Sequence, residues 1–165
     1  MTIRPEQPGD ADAIRAVIGA AFAGRRYSSG TEAAIVEALR EAGALTLSLV
    51  AEEDGQVIGH IAFSPVTIDG AACGWFGLGP VAVVPERQGQ GVGAALIREG
   101  LARLRARGAA GCVLLGDPRY YARFGFVSDP ALRYSGGPAA YFQRLAFSDP
   151  TPSGEIAFHP AFDAG

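Results

Sequence analysis

Cysteine and histidine are scarce in this chain, with two of each among 165 residues. A structural zinc site needs about four ligands at short spacing. Cys73, Cys112, His60 and His159 are scattered, so no metal is expected. Two cysteines make no disulfide framework and read as small buried hydrophobes. Long apolar runs are missing too: no stretch approaches the ~20 residues of a membrane-spanning helix. The opening segment "MTIRPEQPGDADAIRAVIGAAFAG" carries Glu6, Asp10, Asp12 and Arg15 where a signal peptide needs an apolar block. Basic charge is not in excess, with 14 Lys+Arg against 17 Asp+Glu and a net charge of -3. That removes the electrostatic footing for non-specific binding to nucleic acid or to an anionic membrane. Internal repeats, linkers and low-complexity blocks are absent. What remains is a soluble, cytoplasmic protein of ordinary composition, 48% hydrophobic and 19% charged. Its length suits a single domain, 1–165, with a sizeable core.

Periodicity divides the chain. Ile14, Val17, Ile18 and Phe22 recur at three and four, predicting a helix opened by Gly9 or Asp10 and closed near Gly24. Thr31 caps a second helix with Ala34, Ile35, Ala38 and Leu39 inward, ending at Gly43. The period then changes to two. "LTLSLVAE", "QVIGHIAFSPVTI" and "CGWFGLGPVAVV" are β-rich and separated by Asp54-Gly55 and Asp69-Gly70, strong two-residue hairpin signals. They read as an antiparallel meander. A helix from about Gly91 to Arg107 and a strand "CVLLG" follow. A compact helix in "GDPRYYARFGF" comes next, with Asp117 as N-cap, Pro118 in the first turn and Gly125 at the left-handed C-terminal position. "AYFQRLAF" and "GEIAFHP" read as two final strands. The order is α-α-β-β-β-α-β-α-β-β, an α/β (α+β) chain with one mixed sheet and helices on its faces.

The stretch "PERQGQGVGAALIREG" puts Gly89, Gly91 and Gly93 at the start of a helix, although glycine weakens a helix by roughly 1 kcal/mol per residue. An anion site accounts for it. Loop amides that point one way, joined to a helix N-terminus, attract negative charge, and glycine lets the backbone approach a bulky phosphate. Arg87 adds a direct charge. The spacing does not fit the dinucleotide fingerprint, and the Gly-Lys-Ser/Thr ending of a triphosphate loop is absent.

Gln88-x-x-Gly91-x-Gly93 resembles the pyrophosphate loop of the GNAT superfamily of acetyl-coenzyme A-dependent N-acetyltransferases, whose pattern is Gln/Arg-x-x-Gly-x-Gly/Ala. Tyr121-Ala-Arg-Phe-Gly125-Phe126 resembles that family's Tyr-x-x-x-Gly-Phe. Three segments, "SLVAEEDGQVIGHIAFSPV", "LGPVAVVPERQGQGVGAALI" and "GDPRYYARFGF", are similar to its YhbS-like bacterial branch. The element order matches the family over nearly the whole chain.

The resemblance implies the GNAT fold: a mostly antiparallel sheet of six to seven strands, about four helices, and a splay between the fourth and fifth strands. It also implies direct transfer of an acetyl group from acetyl-CoA to a primary amine in a ternary complex. The acceptor is a small-molecule amine or a peptide or protein amine, and the enzyme a monomer or homodimer. The coenzyme arm would lie along the main chain of Val81, Ala82 and Val83. Its pyrophosphate would rest on Gln88, Gly89, Gln90, Gly91, Val92 and Gly93, beside Arg87, with Ala94 in the first helical turn.

Tyr121 matches the proton donor for the leaving thiolate, and Tyr120 is its neighbouring alternative. The asparagine that many members carry seven residues before the tyrosine is Leu114 here. Glu32 and His60 are candidate bases, and a water chain is the alternative to both. Tyr27 and Ser29 are placed by analogy near the acceptor. A reading from another class, an acyl-CoA-binding or sensing module with little catalysis, stays open at this point.

Overall fold

The computed structural model describes residues 1–25 and 30–164; Tyr27 and Ser29 lie outside the described residues. A short strand β1 (Thr2–Pro5) precedes helices α1 (Ala11–Phe22) and α2 (Glu32–Glu41). The meander follows as β2 (Leu47–Glu53), β3 (Gln56–Ile68) and β4 (Ala71–Val83). Its two turns have positive φ at both central residues, 52° and 76° at Asp54-Gly55 and 52° and 80° at Asp69-Gly70. That is the tight hairpin geometry those dipeptides favour. Helix α3 (Val92–Ala106), strand β5 (Gly111–Leu115) and the one-turn helix α4 (Pro118–Tyr121) come next. The chain closes with β6 (Leu132–Arg133), β7 (Phe142–Ala146) and β8 (Gly154–Ala157).

Strand order is β1-β2-β3-β4-β5-β7, with β8 paired to β3 and β6 to β8. Pairing is antiparallel except at β4–β5 and β6–β8. The sheet has eight strands, two more than the periodicity predicted, because β1 and β6 are too short to alternate visibly. Among the described residues β4 pairs with β5 over Trp75–Gly77 and Gly111–Val113, and β4 itself extends to Val83. Among the described residues no helix is long and apolar enough to cross a membrane.

Contacts group the chain into two compact units. The first holds Met1–Phe63, Gly79–Gly100 and Pro160–Gly165. Here α1 and α2 cover one face of β2, β3 and β4 through Ile14, Val17, Ile18, Val36, Val50, Ala62 and Ala82. Helix α3 covers the opposite face. A Cβ at Gly59 would meet Val92 and Leu96, and one at Gly100 would lie 2.5 Å from Phe63 Cζ. The second unit holds Ser64–Leu78 and Leu101–His159, with a core of Val66, Trp75, Val113, Leu132, Phe142 and Ile156.

Gly100 gives a direct test of this packing. Alanine there gains about 1 kcal/mol of helix propensity. Its methyl must displace the fully buried Phe63 ring, and overpacking costs typically 1–3 kcal/mol. The clash wins. Gly100→Ala is expected to lower the urea midpoint by the equivalent of up to about 2 kcal/mol, where an uncrowded helix position would have raised it.

Candidate functional site

The turn after β4 is short. Arg87 N–H donates to the Val84 carbonyl at 2.9 Å, and Gln88 N–H to the Pro85 carbonyl at 3.3 Å. Gly89 and Gly91 then adopt φ of 74° and 87°, a region disfavoured for residues with a Cβ. A Cβ at either would have no neighbour within 4 Å, so the glycines are not there to relieve crowding by the protein. Ala95 N–H donates to the Gly91 carbonyl at 3.0 Å. The amides of Val92, Gly93 and Ala94 precede it in the first turn, where a helix has no acceptor for them. They place partial positive charge at the end of the exposed stretch Gln88–Gly91.

Side chains brace this loop. Gln88 Nε2 donates to the Val83 carbonyl at 3.0 Å and Gln90 Nε2 to the Glu86 carbonyl at 3.1 Å. The Arg87 guanidinium, expected to add charge to the loop, is paired with Glu53 at the end of β2. The charge next to Gln88 comes instead from Arg25, whose Nη2 donates to Gln88 Oε1 at 2.5 Å. Sequence reasoning missed this contact, which spans 63 residues.

Arg25 also lines a cleft of about 330 Å³ with Ile18, Phe22, Gly30, Glu32 and Ala33. The first unit thus contains Val81–Val83, the glycine loop, Ala94 and Glu32.

Tyr120 and Tyr121 belong to the second unit. The Asp117 carboxylate accepts from Arg119 N–H at 2.9 Å, as an N-cap does, and Gly125 closes the segment at φ 96°. The two rings meet edge to face, 5.0 Å apart. Tyr121 turns inward against the buried Phe126 and over Gly116, where a Cβ would lie 2.5 Å from Tyr121 Cε2. Tyr120 stacks with the Arg123 guanidinium, 4.3 Å from the ring centre.

Leu114 pairs across strands with Gln143 of β7. Gln143 is buried, and its Nε2 donates to the Gly116 carbonyl at 3.0 Å. Its Oε1 has no partner among the described residues. An amide therefore does enter this face of the sheet, from the neighbouring strand.

His60 is fully buried, and its Nε2 lies 2.8 Å from Ser48 Oγ. Ser48 donates its proton to Glu6 Oε1 at 2.7 Å, and Glu6 accepts two bonds from Arg40. Burial pushes the Glu6 carboxyl up, but Arg40 and Ser48 outweigh it and hold the group below the usual range. An ionised Glu6 takes the one Ser48 proton, so Ser48 can only accept from His60 and the ring carries its proton on Nε2. Burial pushes the His60 imidazole down to about 4. A neutral ring sealed under α1 and α2 ties β3 to β2; it offers no surface to an acceptor.

This burial makes stability depend on pH. The unfolded state binds the His60 proton near 6.5 and the folded state near 4. The contribution is therefore complete above pH 6.5 and is lost as pH falls toward 4. Between pH 7 and pH 5 the unfolding free energy should drop by about 2 kcal/mol from this group. His60→Gln should flatten that part of the urea-midpoint profile.

The model of the acetyltransferase (GNAT) domain matches residues 2–128. The chain belongs to the GNAT family of acetyltransferases. An uncharacterized N-acetyltransferase of Escherichia coli, YhbS, is 48% identical over 152 residues, which is 88% of each chain. A GNAT family acetyltransferase from Brucella melitensis, solved in complex with acetyl-CoA, superposes with a TM-score of 0.89 at 60% identity. That match covers 98% of this chain and 97% of the other. Escherichia coli YhbS in complex with CoA gives a TM-score of 0.89 at 41% identity, covering 98% and 91%. These matches make the chain an N-acetyltransferase and settle the GNAT fold.

Proposed function

We propose that this GNAT enzyme transfers an acetyl group from acetyl-CoA to a primary amine by direct attack in a ternary complex. The arrangement that carries the reading is the glycine loop: the first-turn amides of Val92, Gly93 and Ala94 behind it, with open space where side chains at Gly89 and Gly91 would stand. The pyrophosphate rests on those amides. The pantetheine arm pairs with the main chain of Val81, Ala82 and Val83, and Pro80 contributes no donor. The amine enters the cleft walled by Glu32, Phe22 and Ala33. Its nitrogen attacks the thioester carbonyl carbon and the carbon–sulfur bond breaks. Tyr121 protonates the departing thiolate, and the proton from nitrogen leaves through Glu32 or water. A main-chain N–H near Val81 steadies the oxyanion.

A thiol-release assay with acetyl-CoA against a panel of amines and short peptides, beside calorimetry with coenzyme A, tests this. The chain contains no lysine, so thiol release without added amine does not come from acetylation of its own side-chain amines. Amine-dependent release is the expected result. Tight coenzyme binding with no release on any amine would move the protein to the sensing class.

A further inference from the structure

Arg25 stands where two features meet. It follows α1, lines the cleft that holds Glu32, and donates to Gln88 at the foot of the glycine loop. Gln88 passes the connection to the Val83 carbonyl of β4. One side chain therefore belongs both to the cleft wall and to the loop.

Its charge is also uncommitted. All 14 cationic side chains of this protein are arginines. Arg4 is held by Asp10 and Glu52, Arg40 by Glu6, Arg87 by Glu53, Arg119 by Asp117 and Arg144 by Asp129. Arg25 is held by a neutral amide, and no carboxylate among the described residues pairs with it. A guanidinium has five N–H donors in a planar fork that fits phosphate oxygens two at a time. One of the five goes to Gln88 Oε1, which fixes the group beside the loop without neutralising it.

We infer that Arg25 is a phosphate-binding side chain of the coenzyme site, and that by gripping the coenzyme it fastens the wall of the amine cleft to the glycine loop. The inference rests on the acetyl-CoA reading above. It assigns the direct charge contact to the segment after α1 rather than to Arg87. It also makes the two substrates communicate: coenzyme binding steadies the surface that the amine meets, and by linkage the amine returns the same coupling.

Calorimetry with coenzyme A compares wild type, Arg25→Gln and Arg15→Gln. The last makes the same charge change in a residue paired with Asp12 and Glu37. Arg25→Gln should bind about 10- to 100-fold more weakly, the size of a charge-assisted hydrogen bond. Arg15→Gln should stay within about twofold, and added salt should weaken wild-type binding more steeply than that of Arg25→Gln. Amide exchange adds a second readout. At saturating coenzyme, exchange at Phe22, Gly24, Gly30 and Ala33 should slow in wild type and not in Arg25→Gln.

Wild-type affinity in Arg25→Gln, or slowing that survives in it, overturns the inference and leaves the acetyl-CoA reading standing. A wild type that does not bind coenzyme A overturns both.

Discussion

Gly91→Asp is expected to weaken coenzyme A binding by more than about 100-fold while the chain remains folded. Two effects act together. Gly91 sits at φ 87°, where a residue with a Cβ costs roughly 1–2 kcal/mol and aspartate is among the better tolerated. That cost falls on a surface loop and leaves most of the stability of a domain this size intact. The larger effect is on the ligand. Beyond its chain neighbours no protein atom lies within 4 Å of the new Cβ, so the added carboxylate stands in open space, and in the coenzyme site proposed above it repels the pyrophosphate. Calorimetry and circular dichroism on the same sample separate the two effects. Native circular dichroism with unchanged affinity would show that the loop serves packing alone.

Tyr121→Phe should lower turnover by roughly 10²- to 10⁴-fold, the range for a positioned acid, with coenzyme affinity nearly unchanged. The ring is held by Phe126, Phe124, Tyr120 and the close approach at Gly116. Phenylalanine keeps these contacts and removes only the hydroxyl. Tyr120→Phe should have a much smaller effect, because Tyr120 is turned onto the Arg123 guanidinium. Adjacent helical residues point about 100° apart, so one hydroxyl alone is well placed for a given site. Steady-state kinetics on the best amine of the panel decides. A larger loss in Tyr120→Phe would exchange the two roles, and no loss in either would mean that the thiolate departs without a protein acid.

Much of this was legible in the sequence because the signals were local. Asp54-Gly55 and Asp69-Gly70 declare their turns through the φ values they tolerate, and Asp117-Pro118 declares a helix start. Gln88 to Gly93 declares a tight loop ahead of α3 through glycines that adopt positive φ at 89 and 91. Strand β1 escaped because four residues with two exposed ends show no alternation. Other features are long-range: Arg25 reaches Gln88 across 63 residues, and Glu6 meets Ser48 across 42 and Arg40 across 34. No local period encodes such contacts. The partner of Arg87 was hidden for the same reason: its guanidinium pairs with Glu53, 34 residues away. Gln143 became visible only through the cross-strand register that sets it opposite Leu114.

The placement of Trp75 decides how cooperativity can be measured. It is the chain's one tryptophan, 2% exposed in the core of the second unit, with its ring over Gly111. Its fluorescence therefore follows the loss of that core. His60 lies in the first unit, and because the chain has one other histidine, its ring resonances are readily assigned. Strands β3 and β4 and helix α3 each contribute residues to both units. Tryptophan emission and the His60 resonances should lose their native values over one shared range of urea, as a single two-state transition requires. Separate midpoints would divide the 165 residues into two folding units.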